Sequence, residues 1–579
     1  MAEKKKHGLL NGLTHYGDPD FAAYLRRSFA RSMGYSEEML GRPIVGITWT
    51  ASGFNNCHRG VPQLVEAVKR GALAGGALPL EFPVTSLGEV FLNPTSLLYR
   101  NLMAMDVEEM IRAQPMDSVV LVGGCDKTLP ALVMGAISAA KPAVVLATGP
   151  MSTGRYHGER LGACTDCRRF WAQYRAGGLD EKQIGEIEGN LATTQGTCAV
   201  MGTASTMAIL CEAMGLMLPG GAAVPAVHAD RLRQAEASGL HAARLATDKA
   251  GDGLTFDRII TPAVAENALR VLLAISGSTN AVVHLAAIFG RLGIGLDMDL
   301  MNRLSDETPV LVDLKPTGAH YMEDLHAAGG APAVLRALRN QLHLGVPTVT
   351  GETLGEVLDA ADPWSDPAVV RPPEEPISPQ GGLVALSGTL APKGAILKRA
   401  AATPALFERE GRAVVFGSLE DLSRRIDDPD LDVTPDDFLV LQNAGPLAAG
   451  MPEAGYLPIP AKLARAGVKD MVRISDARMS GTAFGTIILH VSPEAALGSP
   501  LGLVRNGDRI RLSVEERRLD LLVEETELAR RRESFAPPPG VGAERGWRRL
   551  WRDHVLQAAA GVDLSVLRGG RDGGRENSS

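Results

Sequence analysis

Along the chain, short and fully apolar runs alternate with stretches whose apolar positions recur every three to four residues. Residues 43–48, 118–123 and 143–147 read as buried strands, and 61–74, 129–139 and 204–217 as helices. Strand, glycine-containing turn and helix in repetition predict an α/β unit on a largely parallel sheet. Between 363 and 379 six prolines fall within 17 residues, so no helix or central strand persists there and a boundary is expected. Beyond it, 383–386, 413–416, 438–441, 470–474, 487–491 and 509–514 read as short strands between Gly/Pro turns, a smaller β-rich barrel or sandwich. The expected organisation is an N-terminal α/β domain over 1–370, a C-terminal β-rich domain over 380–568, and a disordered Gly/Arg/Ser-rich tail over 569–579.

Composition narrows the function classes. Apolar residues at 45% and charged residues at 22% argue against wholesale disorder and against a polytopic membrane protein. The formal charge of −8 provides no basic field for nucleic acid or anionic membrane, and aromatic residues at 4% are too sparse for base stacking. The basic N-terminus is followed by Asn11, His15, Asp18 and Asp20 rather than an apolar run, so a cytoplasmic location is expected. The weakly charged stretch 213–227 contains Pro219, Gly220, Gly221 and Pro225, which argues against a membrane span.

Six irregularly spaced cysteines do not form a disulfide framework, so in a reducing compartment they are free, catalytic or metal-bound. In 117–130, an apolar run ends in Gly-Gly and continues Cys125-Asp126-Lys127, beyond the carboxyl end of a parallel strand, where α/β sheets place ligands. Alone, Cys125 also reads as a small buried hydrophobe and Asp126-Lys127 as a solvated turn. Cys57 closes another such loop, and Cys198 precedes an apolar helix whose N-terminus favours a thiolate. Three loop cysteines suit an iron–sulfur cluster or zinc with one open position. Cys164 and Cys167 form a C-x-x-C, but the second pair of a zinc ribbon and a thioredoxin-like context are both missing. His157, Cys211 and His284 read as structural.

Four segments, GGCDKTLPALVMGA (123–136), SGSTNAVVHLAAI (276–288), SGTLAPKGAILK (387–398) and SDARMSGTAFGT (475–486), resemble the signatures of the dihydroxyacid/sugar-acid dehydratases. The likeness runs from about residue 8 to 563, and FPVTSLGE (82–89) with the run 101–110 resembles the arabinonate/xylonate branch. The resemblance implies that Cys57, Cys125 and Cys198 hold a [2Fe–2S] cluster, with [4Fe–4S] as the alternative, leaving one iron open to substrate. It implies Mg²⁺ on Glu89, Asp126, Glu453 and Lys127 as a carbamate, for an ammonium cannot bind a cation.

Ser480 would be the base, Thr482 a further catalytic hydrogen-bonding group, and Ser278, Thr279 and Asn280 substrate ligands. Read without the resemblance, Ser480 is a turn residue and 278–280 a helix cap. The expected reaction removes water from an aldonate such as arabinonate, xylonate or gluconate, or from glycerate, to leave a 2-keto-3-deoxy acid, in a homodimer or homotetramer. Rival readings are dihydroxyacid dehydratase of branched-chain synthesis and a non-catalytic iron–sulfur sensor. No phosphate-cradling loop favours 6-phosphogluconate, and no nucleophile elbow favours a serine hydrolase. The stretch 445–451 lacks a lysine usual in the family and looks shorter, which bears on where Glu453 sits and on substrate range.

Overall fold

The computed structural model describes residues 7–13, 15–247, 251, 253–542 and 545–569; all but the first residue of the expected tail lie outside the described residues. The N-terminal region is built on a four-stranded parallel sheet of order β2-β1-β3-β4: β1 Ile44–Trp49, β2 Leu78–Pro83, β3 Ser118–Gly123 and β4 Ala143–Ala147. All of β3 and β4 is buried, which explains their unbroken apolar runs. A hairpin of β5 Gly154–Tyr156 and β6 Glu159–Leu161 follows.

The strand β2 escapes the sequence pattern because its six residues include Pro79 and Pro83, which only an edge strand tolerates, and β2 is the edge. The predicted helix 204–217 ends early, at Ala213, because Leu216 accepts a backbone hydrogen bond from Val145 and extends the β4 edge. Helices Val61–Ala74 and Ala229–Thr247 cross at glycines: a Cβ on Gly71 would stand 1.8 Å from the Glu236 carbonyl oxygen, and one on Gly239 2.0 Å from that of Val68.

The C-terminal region is one eight-stranded sheet of order β14-β13-β9-β10-β11-β12-β8-β7. Its strands are β7 Val384–Leu386, β8 Ala395–Leu397, β9 Glu408–Phe416, β10 Phe438–Leu441, β11 Arg473–Ser475, β12 Ile487–Leu489, β13 Arg509–Ser513 and β14 Arg518–Leu521. Strands β9 to β12 pair in parallel and the outer ones antiparallel. A bridge from Ser387 to Arg518 brings the two ends together, so the sheet is a nearly closed barrel and the sandwich is excluded. Three-residue β8 and the alternating Arg-Leu-Asp-Leu of β14 are too short or too polar to stand out in the sequence.

Separate apolar clusters fill the two regions. The last segment returns to the N-terminal one, where Trp551, Val562 and Leu564 pack with Leu97, Leu98 and Val283. Arg100, fully buried, donates to the carbonyls of Gly561 and Val562 at 2.9 Å, and Arg291 pairs with buried Asp563 at 2.7 Å.

Candidate functional site

The loop Gly124–Lys127 leaves the carboxyl end of β3 and enters helix Thr128–Ala139, as the apolar pattern predicts. His58 secures it. The ring's Nε2 accepts the backbone N–H groups of Gly124 (3.0 Å) and Cys125 (3.1 Å), so Nδ1 carries the proton and donates to the Thr50 carbonyl at 2.9 Å. Burial lowers His58 to about 4, and the ring stays neutral.

Two residues of this loop meet carboxylates from elsewhere. Oxygen atoms of Glu89, Asp126 and Glu453 all lie within 4.8 Å of one another. Lys127 Nζ, fully buried, stands 3.0 Å from Glu89 and 3.3 Å from Asp126. Arg478, also buried, donates to Glu89 (2.8 Å), Glu453 (2.5 Å) and Thr95 (2.8 Å). Burial would raise the Glu89 carboxyl, but Arg478 and Lys127 hold it well below the usual range. Glu453 goes the other way, raised by burial and by the charge of Glu89. Three hard oxygen donors around one point suit a divalent cation such as Mg²⁺. The altered loop 445–451 therefore leaves Glu453 beside its two partners.

Asn280 links this group to the next, donating to Glu453 (3.3 Å) and Thr203 (3.0 Å). Ser278 shares a hydrogen bond with Thr203 at 2.8 Å and accepts from the Asn280 backbone at 3.2 Å, whereas Thr279, at the N-cap of helix Asn280–Gly290, makes no side-chain capping bond. Thr279 Oγ1 and Asn280 Oδ1 are buried without partners, as are Nε2 of His284 and both ring nitrogens of His490. Such orphaned groups call for a polar ligand or ordered water.

Ser480 and Thr482 follow β11 on the loop that also carries Arg478. Their hydroxyls are 2.7 Å apart. The loop lies against the N-terminal region: a Cβ on Gly481 would stand 2.5 Å from Cβ of Ser278, and one on Gly202 3.0 Å from Thr482 Cγ2 and 3.8 Å from Cys198 Cβ. Lys398, fully buried, donates from Nζ to the Gly481 carbonyl at 3.2 Å, and burial lowers it to about 7.

The three loop cysteines come together. Cys57 is pushed up by a hydrogen bond with Cys125 and by burial, and Cys198 feels the charges of Asp126, Cys57 and Cys125. The expected helix-terminus effect on Cys198 is absent, because helix Thr203–Ala213 starts after Gly202 and burial raises this thiol on balance. Cys164 joins the set, with Sγ 3.1 Å from that of Cys198. Clustered thiols suit an iron–sulfur centre.

Sequence reasoning missed His58, Arg478, Lys398 and Cys164. Arg478 and Lys398 lie inside segments already singled out, and His58 and Cys164 adjoin or form part of cysteine motifs; what was missing was a reason to pair them with distant residues. A second group, His228, Asp230 and His326, also has ligand atoms within 4.8 Å of one another, but Arg233 already pairs with Asp230 and His228 is exposed.

The model of the dihydroxy-acid/6-phosphogluconate dehydratase N-terminal domain matches residues 42–357, and that of the C-terminal domain 368–562. The chain is 46% identical over 566 residues to L-arabonate dehydratase of Azospirillum brasilense, covering 96% of each. It is 42% identical over 577 residues to 6-deoxy-6-sulfo-D-gluconate dehydratase of Pseudomonas putida, covering 98% of each. To the dihydroxy-acid dehydratase of Nitratidesulfovibrio vulgaris it is 38% identical over 521 residues, 88% of this chain and 92% of that one.

Proposed function

Because the chain belongs to the dihydroxy-acid/6-phosphogluconate dehydratase family and is a hydro-lyase, we propose that it dehydrates aldonates such as arabinonate, xylonate or gluconate to 2-keto-3-deoxy acids. The observation that carries this reading is the meeting of Glu89, Asp126 and Glu453 from two regions. Higher identity to the two sugar-acid dehydratases than to the dihydroxy-acid dehydratase supports the aldonate branch.

In this reading Cys57, Cys125 and Cys198 hold a [2Fe–2S] cluster, and Glu89, Asp126 and Glu453 hold Mg²⁺ together with Lys127. Lys127 becomes a ligand only as a carbamate, formed from the amine and carbon dioxide with loss of a proton; otherwise it is a counter-ion. When bound, the open iron supplies a Lewis acid for the departing C3 hydroxyl, and Mg²⁺ one for the carboxylate and C2 oxygen.

The protein's own groups do the rest. Thr279 and Asn280 orient the substrate with their free buried polar atoms, beside Ser278, whose hydroxyl is shared with Thr203 and the Asn280 backbone. Ser480, as its alkoxide, takes the C2 proton; the C3–O bond breaks, the departing hydroxide takes up that proton to leave as water and restores the alkoxide, and the enol tautomerises to the keto acid. A serine is too weak a base unless its alkoxide is stabilised. The Thr482 hydroxyl at 2.7 Å donates to it, and Lys398 holds the turn between them. Exposed Phe21, Tyr24, Phe29 and Met33 on or beside helix Pro19–Ser32 support a homodimer or homotetramer.

The test is keto-acid release by anaerobically purified protein with Mg²⁺, offered arabinonate, xylonate, gluconate, glycerate and 2,3-dihydroxyisovalerate. Ser480→Ala is expected to lower kcat by about 10²- to 10⁴-fold, the usual worth of a general base, with iron and sulfide unchanged. Turnover of 2,3-dihydroxyisovalerate alone would assign the branched-chain reaction instead. A full cluster with no turnover on any acid would overturn the enzyme reading in favour of a sensor.

A further inference from the structure

Cys164 has no part in the reading above, yet it stands at its centre. It precedes helix Thr165–Arg175 with φ of 78°, a left-handed conformation that a side chain larger than glycine's adopts only at a cost. That conformation aims its sulfur at Cys198, 3.1 Å away. The next residue, Thr165, donates to the Thr482 carbonyl at 3.2 Å, so Cys164 sits between the thiol set and the Ser480 loop. Arg168, one turn on, lies over the Tyr456 ring at 5.2 Å with a buried, unpartnered Nε, and its charge acts on Cys164.

The thiols thus fall into two groups, Cys57 with Cys125, and Cys164 with Cys198, the Cys164 thiol also meeting that of Cys167. A [2Fe–2S] cluster on four thiolates uses two on each iron. Two thiolates on one tetrahedral ion, with bonds of about 2.3 Å, stand about 3.8 Å apart, so a slight opening of the second pair seats both. A disulfide would instead need closure to about 2.05 Å and an oxidant.

We propose that Cys164 is a fourth thiolate of the iron–sulfur centre, closing in the substrate-free protein the coordination position beside Cys198 that substrate takes. The inference rests on the three-cysteine reading above and deepens it. An aldonate must then displace a thiolate to reach the iron, which shields the cluster between turnovers.

The experiment compares anaerobically reconstituted wild type with Cys164→Ala, Cys164→Ser, Cys167→Ala and Cys57→Ser. Iron and sulfide per chain, the visible and reduced-state electron paramagnetic resonance spectra, and cluster half-life in air are measured. Expected for Cys164→Ala is a changed spectrum and cluster loss in air at least threefold faster, with Cys164→Ser shifting the absorption to shorter wavelength and Cys167→Ala, which removes the thiol beside Cys164 but no proposed ligand, keeping the wild-type iron and sulfide content. Arabinonate should shift the wild-type spectrum and leave that of Cys164→Ala nearly unchanged. Wild-type spectra and half-life in both Cys164 variants would overturn the proposal, as would a Cys164–Cys198 disulfide found by mass in the loaded protein. Failure of the underlying reading looks different: the cluster would be absent from wild type, or Cys57→Ser would retain it.

Discussion

The two candidate centres are neighbours built on opposite plans. The clustered cysteines all come from the N-terminal region: Cys57 and Cys125 on loops after β1 and β3, Cys198 on the loop before helix Thr203–Ala213, and Cys164 on the short stretch leading into helix Thr165–Arg175. The carboxylate group is shared: Glu89 and Asp126 belong to that region, whereas Glu453, Arg478 and the Ser480 loop belong to the barrel. The difference teaches that the soft centre needs one folded region, and the hard centre with its base needs two regions docked. Chemistry that requires both is thereby confined to the fully assembled chain.

The comparison breaks most visibly if the centres prove inseparable. Removal of Mg²⁺ with a chelator is expected to abolish keto-acid formation while the visible spectrum of the cluster persists, and re-addition should restore turnover. Loss of the spectrum in parallel with activity would show one centre rather than two.

Arg478→Met tests the docking itself. It leaves Glu89 and Glu453 buried without their shared cation, and breaking such a buried pair costs about 3–5 kcal/mol, read as a lower denaturation midpoint of the Mg²⁺-free protein. Iron content should change little, since the clustered cysteines all belong to the N-terminal region. A variant as stable as wild type would mean that Arg478 does not join the regions.

Lys398→Met is the smallest and sharpest test. As a positioning residue acting through Gly481, Lys398 should be worth about tenfold in kcat, near the net value of one hydrogen bond, with KM for arabinonate little changed. Its stability effect has a defined sign. Below pH 7 the amine is charged in both folded and unfolded chains, and the folded state bears the cost of burying it. From about 7 to the ordinary 10.5 the folded chain has lost the proton that the unfolded chain keeps, so wild type gains stability relative to the variant as pH rises. A difference that is flat across that window would mean the amine is not buried as described.

Local signals were legible where the chemistry is local. The run ending Gly-Gly-Cys-Asp-Lys declared a strand and a functional loop together, because a strand buried on both faces must be apolar throughout. The proline-rich stretch 363–379 marked the change of architecture, since proline removes the backbone donors that either regular structure needs. Harder to read were β2, whose prolines mimic a loop, and β14, whose charges mask its pairing.

By itself the sequence determined the α/β character of the first half, the strand-rich character of the second and, through four motifs, the family. Only the tertiary structure decided which residues meet. Arg478 reaches Glu89 across 389 positions, Lys398 reaches Gly481 across 83, and Cys164 reaches Cys198 across 34. Periodicity reports which side of an element faces the core, but says nothing about which distant element covers it. The charge states follow from that covering, because burial sets the cost of a charge and the neighbour it meets sets whether that cost is offset.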